Sequence, residues 1–295
     1  AGESSLVLTP PDMVDNWAMQ QAYSSDGDDD KWKHKLPSRV PAKTFAEDCQ
    51  YNLSSVFIFD LDSVLAITEP LSLGWLGGGN GTAAELASQA RSHVNRVAYR
   101  RFDREAVGRS HVVRFNDVVA ASGMPRGYSH FSRLLARKYM SALRYYREYA
   151  TKAAGARRPD PRTLRAWKLW EDIDKTTNGW LTLTQGILTQ ITKRNDSAVI
   201  AVSSTHILNA AASLLLYNLN AYFDLRCVYS VDDTFNTTMA MTQVMDRFGT
   251  DVVYVAIGNT TRFQQAASEV NVPFVPLQGH EDAHNLLEDL QSVGT

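Results

Sequence analysis

Short apolar runs alternate with longer stretches of helical periodicity along much of the chain. Residues 56–59, 198–202 and 252–257 are continuous apolar runs bounded by polar residues. This pattern is typical of strands buried on both faces of a parallel sheet. A fourth run, 274–277, contains Pro276, which favours a position at the edge of the sheet.

Amphipathic stretches at 207–219, 239–248, 263–270 and 283–290 lie between or after these runs. Strand–helix alternation predicts right-handed βαβ units, so the sequence indicates an α/β fold around a parallel sheet.

The alternation is interrupted between the first and second strands. A glycine-rich stretch at 73–81 predicts a loop, and 128–149, 164–173 and 180–191 have helical spacing. We therefore predict three parts of the chain. These are an N-terminal extension at 1–52, an α/β core at 53–70 and 196–295, and an inserted helical bundle, or cap, at 71–195.

Composition narrows the class of protein. The chain has 295 residues, of which 44% are hydrophobic and 21% charged, so a disordered, collagen-like or coiled-coil protein is excluded. Two cysteines exclude a disulfide framework and a four-thiolate metal site. The apolar runs are too short to span a bilayer, so no membrane partner is predicted.

The net charge of -2 conceals a strongly basic segment, because residues 126–168 contain twelve Lys and Arg against Glu148 and Asp160. A basic helical face can bind an acidic protein or an RNA backbone. The alternative is a solvated face that acidic residues elsewhere balance.

The compartment is predicted to be intracellular. Five Asn-x-Ser/Thr triplets occur, but such triplets arise often by chance and only two cysteines accompany them. The chain begins at Ala1, which indicates a processed form or a piece of a longer chain, and this leaves open an organelle such as the mitochondrion after presequence removal.

Candidate chemistry follows the strands. Asp60 and Asp62, Ser203 and Ser204, and Asn259 come directly after three buried runs, and ligands of open parallel sheets bind at the carboxyl ends of the strands. Adjacent carboxylates repel each other, which points to a cation such as Mg²⁺, with Asp60 as nucleophile and Asp62 as general acid and base. The alternative is a helix N-cap with a solvated neighbour.

Residues 56–62 resemble the first motif of the haloacid dehalogenase (HAD) superfamily, and the chain more specifically resembles the C-terminal domain of the Eyes absent family over about 53–292. Further matches to that family occur in order along the chain, at 114–117, 133–149, 180–182, 215–219, 228–230, 247–249, 252–258, 273–274 and His280.

The resemblance implies a Rossmann-like core with an inserted helical bundle, Mg²⁺-dependent phosphotyrosine hydrolysis through an aspartyl-phosphate, and binding of homeodomain-type transcription factors. It also implies a nuclear or cytoplasmic location. Asp60 would attack phosphorus, Asp62 would protonate the leaving phenolate, and Ser203 or Ser204 would bind phosphoryl oxygens. Mg²⁺ would be held by Asp60, Asp62 and the residue at Asn259.

Several motif residues depart from the family pattern. Val64 stands where the family has a threonine, and Asn259 replaces a metal-binding aspartate. Residues 231–242 contain no Lys or Arg where the family supplies a lysine, although Arg262, or less well His206, could bind phosphate instead. We therefore predict a weak or inactive phosphatase. The alternative is a catalytically dead assembly subunit that binds protein or RNA through its basic insertion.

Overall fold

The structure is a computed structural model that describes residues 53–74, 81–102, 130–155, 161–231 and 236–292. The predicted extension at 1–52, most of the glycine-rich loop, the motif at 114–117 and part of the basic segment lie outside the described residues.

A parallel five-stranded sheet carries the fold, in the order β3-β2-β1-β4-β5. The strands are β1 (Ser55–Asp60), β2 (Ser197–Ser203), β3 (Val228–Ser230), β4 (Val253–Gly258) and β5 (Phe274–Pro276). This topology with surrounding helices confirms the predicted α/β fold and is that expected of a HAD Rossmann-like domain. The edge position predicted from Pro276 is also confirmed, because among the described strands β5 is the last in the sheet order and pairs with β4 alone.

The strands are continuously apolar because both faces of the sheet are covered. Phe57 and Phe59 pack into one hydrophobic cluster, whereas Val56 and Ile58 pack into another. Successive side chains of a strand point to opposite faces, so the two clusters lie on opposite sides of the sheet.

Helices surround the sheet. In chain order they are α1 (Thr68–Ser72), α2 (Gly81–Arg100), α3 (His130–Gly155), α4 (Pro161–Thr176), α5 (Trp180–Lys193), α6 (Ile207–Leu216), α7 (Thr237–Phe248), α8 (Thr261–Glu269) and α9 (His280–Ser292). In the described ranges, no helix is long and apolar enough to cross a bilayer.

Several of these helices differ from the sequence prediction: the short helix α1 was not predicted, and α3 ends six residues beyond the predicted stretch 128–149. Helix α2 was not predicted, because small residues such as Ala83, Ala87 and Ala90 form much of its buried face and give a weak apolar signal. Helix α6 ends three residues earlier than the predicted stretch 207–219, since Asn218 has a positive φ of 55° that α-helical backbone does not allow.

The helices between β1 and β2 share a hydrophobic cluster with the sheet. Tyr139 of α3, Trp180 of α5 and Phe59 of β1 belong to it. Trp180 is fully buried, and its Nε1 donates a hydrogen bond to the carbonyl oxygen of Val64 at 2.9 Å. Helix α5 is thereby attached to the segment that follows β1, and the boundaries predicted at 71 and 195 stay a prediction.

Candidate active site

Three strands end side by side and bring the predicted polar residues to one edge of the sheet. Asp60, Ser203 and Gly258 are the last residues of β1, β2 and β4. A Cβ atom on Gly258 would lie 3.2 Å from the Cβ of Asp60 and 2.9 Å from Cδ1 of Phe263. Glycine is therefore required for the close approach of β4 to Asp60.

The Asp60 carboxylate is nearly enclosed, with 8% of the residue exposed. The hydroxyl of Thr260 donates a hydrogen bond to its Oδ2 at 2.9 Å. Burial raises the pKa of Asp60 above the ordinary value, and hydrogen bonds from Ser63 and then Thr260 offset part of that rise. Thr260 also accepts from the backbone N–H of Phe263 as the N-cap of α8, so its hydroxyl is held in place.

The Asp62 carboxylate faces β2 and accepts a dense set of hydrogen bonds. Ser204 donates to Oδ2 from its backbone N–H at 2.6 Å and from its hydroxyl at 2.7 Å. The Ser203 hydroxyl lies 3.0 Å from both carboxylate oxygens. In this structure both serines bind the carboxylate of Asp62, and their predicted role as phosphate ligands stays a prediction.

Desolvation is the largest influence on Asp62, although part of the residue is accessible to solvent. It raises the pKa of Asp62 to about 6, the negative charge of Asp60 adds to the rise, and the hydrogen bonds from Ser204 and Ser203 oppose it. A carboxyl group with such a pKa exchanges a proton readily near neutral pH, as a general acid or base must.

The donors at the end of β2 are themselves fixed. The Ser203 oxygen accepts from the backbone N–H of Thr205 at 3.1 Å and lies 2.9 Å from the Thr205 hydroxyl. The Ser230 hydroxyl donates to the carbonyl oxygen of Thr205 at 2.6 Å, which connects this turn to the end of β3.

Other sequence candidates do not join the two carboxylates. Arg262 is exposed on α8 and makes no hydrogen bond or ion pair with another described residue. The Nδ1 of His206 accepts from the backbone N–H of Leu208 as the N-cap of α6. Neither Asp60 nor Asp62 forms an ion pair within the described ranges, so the repulsion between them is not offset by a cationic side chain there.

The donor set for a metal is all oxygen. The carboxylate of Asp60, the backbone carbonyl of Asp62 and the amide of the half-buried Asn259 are ligand types that suit Mg²⁺. No group of three or more His, Cys, Asp or Glu is placed to hold a metal in the part of the chain that the structure describes. The residues fit Mg²⁺ in donor chemistry, with Asp60 as the carboxylate not already bound by serines.

No family model matches the chain. Curated proteins do match it: human "Protein phosphatase EYA1" is 32% identical over 167 residues, which are 55% of this chain and 28% of that protein. Drosophila melanogaster "Protein phosphatase eya" is 29% identical over 162 residues, or 55% of this chain and 21% of that protein. Human "Protein phosphatase EYA2" is 29% identical over 160 residues, or 54% of this chain and 29% of that protein.

The chain is similar to the Eyes absent phosphatases. The similarity supports an Eyes absent-like C-terminal HAD domain. The aligned residues span less than a third of the length of each of these relatives. The matches do not address the departures at Val64 and Asn259.

Sequence reasoning missed the direct partner of the proposed nucleophile. Thr260 was not among the predicted site residues, yet its hydroxyl binds Asp60. A threonine placed between a buried strand and an amphipathic helix is a helix N-cap signal, and that signal could have drawn attention to it. Thr205, which supports Ser203, carried no comparable signal.

Proposed function

We propose that this domain is an Eyes absent-like aspartate phosphatase whose hydrolysis of phosphotyrosine is weak or lost. The observation that carries the proposal is the arrangement at the edge of the sheet. Two carboxylates stand where nucleophile and general acid are needed, but Ser203 and Ser204 bind Asp62 rather than facing an open phosphate site.

Asp60 is suited to act as the nucleophile. Its Oδ2 accepts a hydrogen bond from Thr260, and Ser63 also contributes hydrogen bonds to the carboxylate, so the nucleophile would be held in a fixed orientation when it attacks phosphorus. The bond from phosphorus to the phenolic oxygen breaks as the bond to Asp60 forms, and Asp62 gives its proton to the leaving phenolate. Asp62 then takes a proton from water, whose oxygen attacks phosphorus and releases phosphate and free Asp60.

Electrostatics oppose this reaction. A phosphate dianion must approach two carboxylates that have no ion pair among the described residues. One uncompensated unit-charge contact at 4 Å costs about 4 kcal/mol at an effective dielectric constant near 20. The missing motif lysine leaves this repulsion without a cationic side chain to reduce it, and the neutral amide of Asn259 would attract a metal cation less strongly than a carboxylate. The exposed Arg262 is the nearest cation along the chain to Asn259 that could reduce the repulsion.

Asp60, Asn259 and the backbone carbonyl of Asp62 would hold Mg²⁺. The ion would supply positive charge that offsets the repulsion between Asp60 and the phosphoryl oxygens. Because a ligand of the folded state raises the melting temperature, Mg²⁺ titration with thermal unfolding measures this site without turnover. We expect a small shift for the unaltered chain and a larger one for Asn259→Asp; equal shifts would remove Asn259 from the proposed ligand set.

A second candidate function is that of an interaction subunit. The family resemblance suggests a transcription-factor-like protein as its partner, and RNA is the alternative partner. Arg137 and Arg144 of α3 are exposed and seven residues apart, so they share one helix face. Arg147, in contrast, lies 3.2 Å from Asp224 in an ion pair. Reversal of Arg137 and Arg144 to Glu is expected to weaken a salt-sensitive association, and unchanged binding would contradict this candidate.

A further inference from the structure

The donors around the Asp62 carboxylate form a built anion cradle, which we define as the backbone N–H and hydroxyl of Ser204 and the hydroxyl of Ser203. All three converge on one carboxylate at 2.6 to 3.0 Å. Hydrogen bonds to a charged acceptor contribute more than neutral ones, so Asp62 is a strongly held occupant.

The hydrogen-bond roles in the cradle are consistent with an anion there. The Ser203 oxygen accepts from the backbone N–H of Thr205, and the Thr205 hydroxyl can donate to it as well. The single proton of the Ser203 hydroxyl is then directed at the carboxylate. Every donor of the cradle therefore faces the negative charge of Asp62.

The cradle is rigid on one side and open on the other. Ser203 is fully buried at the end of β2, and Thr205 is tied to β3 through Ser230. Ser204 is exposed, so the cradle lies next to the surface, and its donors would become accessible to a small anion once the Asp62 carboxylate turns away. The carbonyl oxygen of Val64, two residues along the chain, is bound by Trp180, so this segment is anchored, and release of the carboxylate would require rotation of the Asp62 side chain.

We propose that the Asp62 carboxylate is an internal anion that competes with phosphate for the Ser203–Ser204 cradle, so that the resting domain occupies its own phosphate site. The proposal deepens the proposed function, since the phosphate would be that of the substrate. A phosphoryl oxygen needs the same three donors, and two anions cannot share them. Phosphate therefore binds after Asp62 turns away, and the tethered carboxylate lowers the apparent affinity of the domain for phosphate.

The test is calorimetric titration of the full chain with inorganic phosphate in the presence of a metal chelator. Asp62→Ala should tighten phosphate binding by about tenfold or more, because the cradle then lacks its competing anion. Asp62→Asn keeps the size of the side chain and removes its charge, and it should tighten binding by about threefold or more, which also covers the case in which the alanine variant does not fold.

Two further variants separate the cradle from a general effect of charge. Asp196→Ala removes a carboxylate just before β2, at the opposite end of the sheet, and should leave phosphate affinity unchanged. Adding Ser203→Ala to an Asp62 variant should abolish most of its gain. Unchanged affinity in both Asp62 variants, equal gains in Asp196→Ala, or a full gain retained without the Ser203 hydroxyl would each overturn the proposal.

Binding and turnover distinguish this inference from the proposed function. If the Asp62 variants bind phosphate more tightly but the unaltered chain has no phosphatase activity, the internal competition is supported and the proposed enzymatic function is overturned. If the unaltered chain hydrolyses an aryl phosphate but the Asp62 variants bind phosphate no more tightly, the phosphatase activity is supported and the internal competition is overturned.

Discussion

Thr260 donates its hydroxyl proton to Oδ2 of Asp60 at 2.9 Å, across the gap between β4 and β1. This bond is made where the nucleophile of an aspartate phosphatase would stand, and it fixes one of the two carboxylate oxygens. It also gives a nearly enclosed negative charge a fixed partner, which matters because no ion pair supports Asp60 within the described chain.

Thr260→Val should destabilise the domain more than Thr260→Ser. Valine removes the donor to Asp60 and the N-cap acceptor for Phe263, whereas serine keeps both. Loss of a hydrogen bond to a buried charge costs about 1–3 kcal/mol, and loss of a cap about 1 kcal/mol. Urea denaturation of the two variants measures the difference, and equal free energies of unfolding would contradict the described geometry.

The folded domain should lose stability through Asp62 as the pH rises. Its pKa is raised from 3.8 to about 6, so the folded state binds the proton more tightly than the unfolded state. The stabilising effect is complete below pH 3.8 and is lost as the pH passes about 6. A shift of this size corresponds to a free energy on the order of 3 kcal/mol.

Asp62→Asn removes this pH dependence. The free energy of unfolding of the variant, relative to that of the unaltered chain, should therefore increase from pH 4.5 to pH 8, which is roughly the titration window of Asp62. Urea denaturation in the presence of a metal chelator measures it. Asp196→Asn is the control: the Ser54 hydroxyl lowers the pKa of Asp196, so the contribution of Asp196 to stability is already complete at the acid end of this window and should stay constant across it. A difference between Asp62→Asn and the unaltered chain that is constant with pH would show that Asp62 does not titrate as described.

Much of the scaffold could be predicted from the sequence. The runs at 56–59 and 198–202 are apolar without interruption, and this pattern is typical of strands covered on both faces of a parallel sheet. The same rule placed Asp60 and Ser203 at one edge before any geometry was known. Helix α2 was not predicted, because alanines form much of its buried face and alanine differs little in hydrophobicity from the polar residues around it.

The hydrogen bonding within the site could not be predicted. The side-chain conformation of Asp62 decides which anion Ser203 and Ser204 bind. No pattern of hydrophobic and polar residues in the sequence indicates that conformation. The ion pair between Arg147 and Asp224 could not be predicted either, because the sequence shows Arg147 only as one of the basic residues of 126–168.

Trp180→Phe should destabilise the domain through the segment after β1. The indole Nε1 donates to the buried carbonyl oxygen of Val64, and phenylalanine leaves that oxygen without its partner. A buried unsatisfied group costs about 1–3 kcal/mol. Trp167→Phe is the matched control, since Trp167 is 39% exposed, and it should change stability little. Equal effects in thermal unfolding would argue against an anchoring role for Trp180.

Asp224→Asn should be among the more damaging single substitutions. Asp224 accepts from Arg226 Nε at 2.9 Å and from Arg147 Nη2 at 3.2 Å. Burial favours the neutral acid, but the two guanidinium groups outweigh it and lower the pKa of Asp224. Breaking a buried pair leaves Arg226 uncompensated and costs about 3–5 kcal/mol. Chemical denaturation compares the free energy of unfolding of Asp224→Asn with that of Asp251→Asn, a variant at an exposed site. A difference near zero between the two variants would contradict the predicted loss of stability.

The central claim is that the site has the arrangement of an aspartate phosphatase but reduced catalytic power. The most direct measurement is kcat/KM for an aryl phosphate, with Mg²⁺ and with a chelator, for the unaltered chain, Asp60→Asn and the matching domain of human EYA1. We expect kcat/KM at least about 100-fold below that domain, as when one fixed stabiliser of the transition state is removed. Equal, Mg²⁺-dependent turnover that Asp60→Asn abolishes would contradict this expectation and establish a fully active phosphatase.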